Sequence, residues 1–467
     1  MSQSVAGFPR RLRASLTAAL LALVVACGGG GGGAQAPAPG ASPSPQPAGA
    51  EQTLADLFNL TALYQRMGRL AGGNPLPFVG NTAFFAGRGD STLVLLGISL
   101  DNRGLTFQRA GRQFTARYRV ELNLQRGSSL PLRYAREEAV TVGSYQETQR
   151  SDESVVFQQT LLLPPGSYQT SLVVRDANST SMSRAEATVV VPAFPAGSFT
   201  APIIVYTSVP RTDIWAEPQV LLNPRGMVAH GGDSLRVVIE GYGLTGPTKL
   251  PLDIRDEQDR VLVQRDLDFA GGKAVETRTI VLPPQTPSLG RVNIRTGAAP
   301  NQQLTVALVS FSRSWVVTNY DNLLTLMRFF PAEGWVDRLR DSDPAERAAL
   351  WRQFWVETDP TPQTPENELI DQYFTRVAIA NERFRDEGAG QGWRSERGEV
   401  YIGLGPPDQE LESPPGSEQR IVQWVYNEYR SVITFTGQLG FSRLRLTPSS
   451  RSEFNRLKAL ARAKPIQ

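Results

Sequence analysis

Acidic side chains cluster around a proline-rich turn in the C-terminal third of the chain. Asp359 precedes Pro360, and Glu366, Glu368 and Glu396 follow it in the sequence. Two carboxyl groups about 5–9.5 Å apart form the acid/base pair that glycan hydrolysis uses. A carboxylate-dependent hydrolase is therefore one hypothesis for the function. The spacing does not establish such a pair, because Asp before Pro is also typical of a rigid turn.

Most other catalytic chemistry is missing from the sequence. The only cysteine is Cys27 and the only histidine is His230. A structural zinc site needs about four Cys or His ligands, and the sequence has no Gly-rich phosphate loop. The 48 basic and 45 acidic side chains are spread along the chain, so a nucleic acid partner is not expected. We predict no catalytic residue, metal or cofactor, and we favour binding over catalysis.

A glycine-framed segment provides the sharpest motif, Gly392-Trp393-Arg394-Ser395-Glu396-Arg397-Gly398. In a structural interpretation, the two glycines supply unusual backbone angles, Trp393 anchors the loop in the core, and Glu396 and Arg397 pair with or cap neighbouring groups. In a functional interpretation, Ser395, Glu396, Arg397 and Asp408 line a site, with Asp359 as a further candidate. We favour the structural interpretation, because a loop that enters a sheet needs these residue types without any ligand.

This segment resembles the GWxTD domain of bacterial envelope proteins, which is named for Gly-Trp-x-Thr-Asp and usually continues into Arg-Gly. Here Ser395 and Glu396 stand where the family has Thr and Asp. The resemblance implies an envelope location and a long N-terminal β region, but no activity. A shorter likeness, carried by Gly405-Pro406-Pro407-Asp408 and Trp424-Val425-Tyr426, is similar to the small lipoprotein of the outer-membrane β-barrel assembly machinery and suggests a scaffold role.

The N-terminus predicts a lipoprotein. Residues 1–27 have a basic start, an apolar run of 13 residues (14–26) and then Cys27, a run shorter than the ~20 residues of a membrane-spanning helix. By resemblance to lipoboxes, Cys27 is the lipidated first residue of the mature chain; an ordinary signal peptide is the alternative. The residues that flank the arginine pair do not fit twin-arginine export. Residues 28–53 predict a disordered Gly/Pro/Ala tether. The resemblance to bacterial lipoproteins, which often carry Asp after the cysteine when they stay at the inner membrane, implies the outer membrane here because Gly28 follows Cys27. The periplasmic face is favoured.

The central part predicts two tandem β-sandwich-like domains, 80–195 and 198–314, after an amphipathic helix over 54–72 with Thr53 as its cap. We expect that helix to pack on the protein body rather than on a membrane surface. Alternating runs predict strands at Ser91–Leu100, Phe114–Leu124, Val155–Leu163, Tyr168–Arg175 and Ala185–Val191. Two matches at an offset of 119 positions support a duplication: Leu161–Pro165 with Ile280–Pro284, and Val120-Glu121 with Ile239-Glu240. His230 lies at a turn signal, so we expect it to be exposed to solvent.

The C-terminal domain, 316–467, predicts an α+β unit. One helix starts at Asp343-Pro344-Ala345-Glu346, and a second starts at Thr364-Pro365-Glu366 with a buried stripe at Leu369, Tyr373, Val377, Ala380 and Phe384. Strands are predicted at Val400–Leu404, Ile421–Tyr426, Val432–Phe435 and Phe441–Leu446, followed by a helix from Ser452. Clustered tryptophans could stack on cell-wall sugars, although core packing is the default: Trp335, Trp351, Trp355, Trp393 and Trp424.

The predicted fold class is mainly β with an α+β C-terminal domain of two helices and a small antiparallel sheet. The predicted function is a binding or scaffold lipoprotein of the cell envelope that acts through this C-terminal domain. Its partners would be the membrane, through the lipid anchor, and an envelope protein or peptidoglycan. The alternative is a carboxylate-dependent hydrolase or binder of cell-wall glycan.

Overall fold

The computed structural model describes residues 59–150, 155–312, 315–317, 319–344, 346–363, 367–387, 391–414, 419–438 and 443–463. Cys27, the predicted tether, Thr53 and Glu366 lie outside these residues. Within them, no helix is both long and apolar enough to cross a membrane.

The first β region is a sandwich of two antiparallel sheets. Its strands are β1 (Leu70–Gly72), β2 (Phe78–Ala86), β3 (Thr92–Leu100), β4 (Gln108–Ala110), β5 (Gln113–Gln125), β6 (Leu132–Val142), β7 (Val155–Leu163), β8 (Gly166–Asp176) and β9 (Met182–Val191). One sheet has the order β1-β2-β3-β7; the other has the order β4-β5-β8-β9, with β6 also paired to β5. Leu96 and Ile98 of β3 share one core cluster with Val120 and Leu122 of β5, because alternate side chains of each strand point inward. All five strands predicted here are confirmed.

The second β region repeats this arrangement, except that one of its strand pairs is parallel. Its strands are β10 (Ile203–Val209), β11 (Gln219–Leu222), β12 (Met227–Ala229), β13 (Leu235–Tyr242), β14 (Thr248–Arg255), β15 (Val261–Phe269), β16 (Val275–Leu282), β17 (Gly290–Thr296) and β18 (Gln303–Ser310). The sheet orders are β11-β10-β13-β16 and β12-β18-β17-β14-β15. The segment β10-β13-β16 therefore corresponds to β2-β3-β7, and β15-β14-β17-β18 corresponds to β6-β5-β8-β9.

One of the two internal sequence matches fits this correspondence. Leu161–Leu163 and Ile280–Leu282 end β7 and β16, which occupy equivalent places in the two sandwiches. Val120 and Ile239 lie on β5 and β13, which are not equivalent, because β13 corresponds to β3. The match at Val120-Glu121 therefore reflects ordinary strand composition and not the duplication.

The two sandwiches pack against each other through the outer faces of their four-stranded sheets. An apolar cluster joins Phe85 and Leu95 of the first sandwich to Val205 and Val238 of the second. Arg211 forms a buried ion pair with Glu240 at 2.8 Å, and its guanidinium also donates to the Ala86 carbonyl of the first sandwich at 3.1 Å. This contact crosses the interface and fixes how the sandwiches meet.

Helix α1 (Leu60–Arg66) is shorter than the predicted segment 54–72. Its cap is Asn59, whose side chain accepts from the Ala62 amide at 3.1 Å. Gly68, with φ +76°, ends the helical turn, and the chain then forms β1, where Leu70 is the partner of Gly80. The prediction of helix as far as Ala71 is wrong because strand pairing with β2 uses these residues. Packing of the helix on the body is confirmed by buried Tyr64 in a shared cluster.

The C-terminal region combines helices with a small antiparallel sheet, as predicted. Its elements are α3 (Tyr320–Leu326), α4 (Glu333–Arg340), α5 (Arg347–Thr358), α6 (Glu368–Arg383), α7 (Glu396–Leu404), β19 (Gln409–Glu412), β20 (Gln419–Tyr426), β21 (Ser431–Gln438), β22 (Arg445–Leu446) and α8 (Pro448–Ala463); a four-residue helix, α2 (Tyr145–Thr148), lies earlier in the chain. The sheet order is β19-β20-β21-β22. The buried stripe of α6 is confirmed at Tyr373, Val377, Ala380 and Phe384.

Three local predictions in this region are wrong. Val400–Leu404 is the end of helix α7 and not a strand, because Ser395 caps that helix and Glu396 and Glu399 occupy its first turn. Helix α5 starts at Arg347 rather than at Pro344. The cap of α6 is Asn367, whose side chain accepts from the Ile370 amide.

The prediction that His230 is exposed to solvent is also wrong. The residue does lie at a turn, as predicted, but its side chain is buried. The turn packs against helix α5, where Arg352 donates to the Gly231 carbonyl at 2.7 Å. Tertiary docking therefore overrides the local turn signal.

Candidate functional site

The two motif glycines are needed for close packing. A Cβ atom on Gly392 would lie 2.5 Å from the carbonyl carbon of Phe384 and 2.6 Å from the Ala380 oxygen. A Cβ atom on Gly398 would lie 2.3 Å from the Gly392 oxygen. Neither glycine has the positive φ that the structural interpretation predicts. Glycine is required here because backbone meets backbone, at the C-terminal end of α6 and at the start of α7.

Trp393 is fully buried in the C-terminal core. Its indole lies in the same cluster as Trp351 and Trp424, which are also buried. Core packing, the default prediction for these tryptophans, is confirmed for these three.

Ser395 joins the motif loop to α7. Its hydroxyl accepts from the Gly398 amide at 2.9 Å and donates to the Gly392 carbonyl at 2.7 Å. The side chain therefore satisfies one free amide of the first helical turn and one carbonyl of the preceding turn. This explains why the position takes a small hydroxyl residue.

Glu396 and Arg397 connect α7 to other elements. Glu396 accepts from the Leu446 amide of β22 at 2.7 Å and pairs with Arg451 of α8 at 2.9 Å. Arg397 donates from Nε to Glu387 at 2.8 Å, and Glu387 is buried. Both side chains of the motif are thus committed to internal contacts, which agrees with the structural interpretation.

Asp408 lies apart from this motif. Its carboxylate accepts from the Asn427 amide at 2.6 Å, and its own amide donates to the Val425 carbonyl at 2.9 Å. The residue therefore orders the turn between β20 and β21 next to β19. The structure brings Ser395, Glu396 and Arg397 together, but Asp408 and Asp359 belong to other places.

Asp359 and Glu368 form an acidic pair around one threonine. The Thr361 amide donates to Asp359 at 2.8 Å, and the Thr361 hydroxyl donates to Glu368 at 2.6 Å. Burial raises the pKa of the Asp359 carboxyl, and the charge of Glu368 adds to that rise. Asp359 and Glu368 therefore bind the same threonine, whereas Glu396 pairs with Arg451.

A cleft of about 730 Å³ lies between the β body and α6. Asn381 is only 7% exposed and its Oδ1 has no hydrogen-bond partner among the described residues. The Nε1 atom of Trp315 is likewise buried without a partner among them. Both residues line the cleft. A buried polar group without a partner is costly, by about 1–3 kcal/mol.

The sequence gives no signal for this cleft. Its walls come from α1, the β1–β2 turn, the segment after β3, the residues before α3 and one face of α6. These segments are brought together only by the packing of the C-terminal region on the sandwiches. Asn381 and Trp315 were therefore missed as candidates.

A second cleft, of about 640 Å³, contains His230, Tyr320 and Arg347. The Arg347 guanidinium lies 4.2 Å from the centroid of the Tyr320 ring. Burial lowers the pKa of the His230 imidazole to about 4, although the Pro287 carbonyl accepts a hydrogen bond from it. Across the described ranges, no group of three or more His, Cys, Asp or Glu side chains is placed to hold a metal ion.

Comparisons with known proteins agree with the motif. Residues 294–445 match the family model of the GWxTD domain, so this part of the chain is a GWxTD domain. No curated protein sequence matches the chain. Among solved structures, trypsin-activated alpha-2-macroglobulin from Escherichia coli is 12% identical, with 50% of this chain and 17% of that chain covered and a TM-score of 0.17. The calcium-binding domain CBD12 of CALX1.1 is 10% identical, with 58% and 93% covered and a TM-score of 0.12. Similarities this weak carry no conclusion about fold or function.

Proposed function

We propose that the protein is a binding or scaffold protein of the cell envelope that acts through its C-terminal GWxTD domain. The observation that carries the proposal is the contrast between the motif and the cleft. The motif's polar side chains are engaged in internal contacts, whereas α6 exposes Glu382 on a cleft of about 730 Å³. In this proposal the motif braces α6, and α6 presents the binding surface.

The proposed location is the periplasmic face of the outer membrane, with Cys27 as the lipid anchor. Acyl chains contribute about 0.8 kcal/mol for each buried CH₂ group, so a multiply acylated cysteine would hold the protein at the membrane. Cys27→Ser should release the protein from the membrane fraction and change its electrophoretic migration. A variant that still fractionates with membranes and migrates unchanged would contradict the lipid anchor.

Site-specific photocross-linking in cells tests the binding function. A photoreactive amino acid at Glu382, which is exposed and lines the cleft, should yield a discrete adduct with a partner. Val261 provides the matched control, because it is 49% exposed but lies on β15 of the second sandwich. Adducts of equal yield at both positions, or none at Glu382, would contradict binding through the C-terminal domain.

The acidic pair of Asp359 and Glu368 supports a second candidate function, a carboxylate-dependent hydrolase of envelope glycan. A carboxyl with a raised pKa beside a second carboxylate is the arrangement of a general acid and its partner. Asp359→Asn and Glu368→Gln should each abolish the release of reducing ends from peptidoglycan if this function operates. Release that is absent in the parent chain, or unchanged in both variants, would reject it.

A further inference from the structure

From a cleft between the two sandwiches, we propose that this protein binds an aliphatic carboxylate through Arg69 and Asn81. The site lies outside the C-terminal domain, so the inference goes beyond the proposed function and does not rest on it. The cleft has a volume of about 200 Å³, below the roughly 300–1,000 Å³ of drug-sized sites. Its ligand is therefore small, or it is the end of a longer molecule.

The charge of this cleft is positive. Among the described residues that line it, Arg69 is the one with a charged side chain. The other polar side chains of the lining are an amide and three hydroxyl groups, from Asn81, Thr82, Thr188 and Thr305. A guanidinium withdrawn from water without an anion is costly. A bound anion would therefore stabilise this part of the protein.

The guanidinium of Arg69 is unpaired. It forms no hydrogen bond or ion pair with another described residue. Burial lowers the pKa of Arg69 to about 10, with only Tyr64 opposing that shift. The Nε atom is sealed from solvent, whereas the two terminal nitrogens are not. Those terminal nitrogens are the atoms that a ligand can reach.

The guanidinium reaches across to the second sandwich. Its Nη2 atom lies 2.6 Å from the position that a Cβ atom on Gly226 would take, and Ile204 Cδ1 lies 3.4 Å from the same position. Ile204 belongs to β10 and lines the cleft. The positive charge of Arg69 therefore lies at the wall of the cleft that the second sandwich provides.

Asn81 provides a second donor beside Arg69. The pairing of β1 with β2 ends where Arg69 lies across from Asn81. Val79 and Ala83, two positions to either side of Asn81, pack in apolar clusters shared with the second sandwich. Because alternate side chains of a strand share one face, Asn81 points the same way. Its amide group also has no hydrogen bond to another described residue and is not sealed from solvent.

A carboxylate fits these groups better than a phosphate. The N–H groups of a guanidinium bind a carboxylate through two parallel hydrogen bonds, and the Asn81 amide can donate a further one. One positive charge balances the single negative charge of a carboxylate, whereas a phosphate dianion would keep an excess. Much of the remaining wall is apolar and would pack on an alkyl group: Ala83, Val190, Pro202 and Val306.

Two sources of ligand have this chemistry, a free short-chain acid and the C-terminus of a peptide. Strand β9 is the last strand of its sheet, so one of its edges is free of a neighbouring strand. Residues 188–190 of this strand line the cleft. A free strand edge is available for pairing with an extended peptide. The affinities of a short acid and of a peptide distinguish the two sources.

Calorimetric titration of the full chain with sodium butyrate and with the peptide N-acetyl-Ala-Ala-Val, which ends in a free carboxylate, tests the proposal. We expect saturable binding of at least one of them, with the corresponding amide at least about tenfold weaker. Tighter binding of the peptide identifies a chain end as the ligand, and tighter binding of butyrate identifies a free acid.

Two variants connect the binding to the proposed residues. Arg69→Gln should raise the Kd at least about tenfold, because it removes hydrogen bonds from a charged group, and Asn81→Leu should raise it by about 3- to 10-fold. Arg112→Gln is the matched control, because Arg112 is an exposed arginine of the same sandwich and lies outside the cleft. Its Kd should equal that of the parent chain.

Thermal unfolding of each variant without ligand shows whether it is folded. Arg69→Gln should keep or raise the Tm, because it removes an uncompensated charge, and Asn81→Leu is the decisive variant if Arg69→Gln does not fold. No saturable binding of either carboxylate, equal affinity for the amides, or an unchanged Kd in the folded variants would overturn the proposal. Tighter binding of inorganic phosphate than of both carboxylates would overturn the carboxylate assignment.

Discussion

The protein should lose stability between pH 7.5 and pH 5, and His230→Gln should abolish most of this loss. The imidazole is 7% exposed, and its Nδ1 atom has no partner among the described residues. Burial disfavours the charged form and lowers the pKa of His230 to about 4. The unfolded chain has no such environment, so its imidazole takes a proton at the ordinary pKa of about 6.5.

The direction and size of this loss follow from the linkage between proton binding and folding. Above pH 6.5 the imidazole is neutral in both states, so its contribution to the free energy of unfolding is fully present. As the pH falls toward 4, the unfolded chain binds the proton first, and the folded state loses stability. With pKa values of about 4 and about 6.5, the loss is about 2 kcal/mol at pH 5 relative to pH 7.5, and about 3 kcal/mol once both forms are protonated.

Urea titrations at several pH values between 7.5 and 5, followed by tryptophan fluorescence, measure this loss. Because the chain has one histidine, the difference in slope between the parent and His230→Gln isolates that residue. The imidazole resonances of the single histidine give its native pKa directly by NMR. Parallel pH profiles for parent and variant, or a native imidazole that titrates near 6.5, would show that the burial of His230 does not cause this loss of stability.

Three further predictions concern the C-terminal domain. Trp393→Ala should lower the free energy of unfolding of this domain by about 3–5 kcal/mol in urea titrations, because the Trp393 side chain is fully buried. A stable variant that has lost only binding would contradict this prediction. Gly398→Ala places a Cβ 2.3 Å from a backbone oxygen and should lower the free energy of unfolding by about 1–3 kcal/mol. Gly334→Ala is the control, because Gly334 lies in a helix with open space around it; this substitution should raise the free energy of unfolding by up to about 1 kcal/mol. Equal Tm shifts in the two variants would argue against close packing at Gly398. Burial and the charge of Glu368 raise the pKa of Asp359, so the ionised Asp359 carboxylate disfavours folding at neutral pH. Asp359→Asn should therefore keep or raise the Tm at pH 7. A clear drop in the Tm would contradict the raised pKa.

Periodicity predicted the elements whose pattern is local. The alternating runs of the first sandwich became β3, β5, β7, β8 and β9, and the stripe of α6 is buried at Tyr373 and Val377. These elements bury one face, so the sequence must carry the period of that face.

Elements decided by caps or pairing were harder to predict. Val400-Tyr401-Ile402 has the composition of a strand, but the cap at Ser395 and the close contact of Gly398 make it helical. Leu70 and Ala71 continue a helical pattern, yet they pair with β2. Composition alone gives no information on which partner a short segment will meet.

The candidate site was predictable only in part. The motif could be found from its residue types, and its structural interpretation agrees with the contacts of Ser395, Glu396 and Arg397. The cleft could not be found, because Trp315 and Asn381 are far apart in sequence and neither belongs to a motif. The burial of His230 depends in the same way on α5, more than a hundred residues later.

A bulky side chain in the cleft should block binding at the face of α6. Ala378 is half-buried and lines the cleft, whereas Ala349 is exposed on α5 outside it. The measurement is the yield of the Glu382 photo-adduct in cells that carry Ala378→Trp or Ala349→Trp, with equal Tm and expression confirmed for both. We expect Ala378→Trp to remove the adduct and Ala349→Trp to leave it unchanged. An adduct of undiminished yield with Ala378→Trp would contradict binding in the cleft.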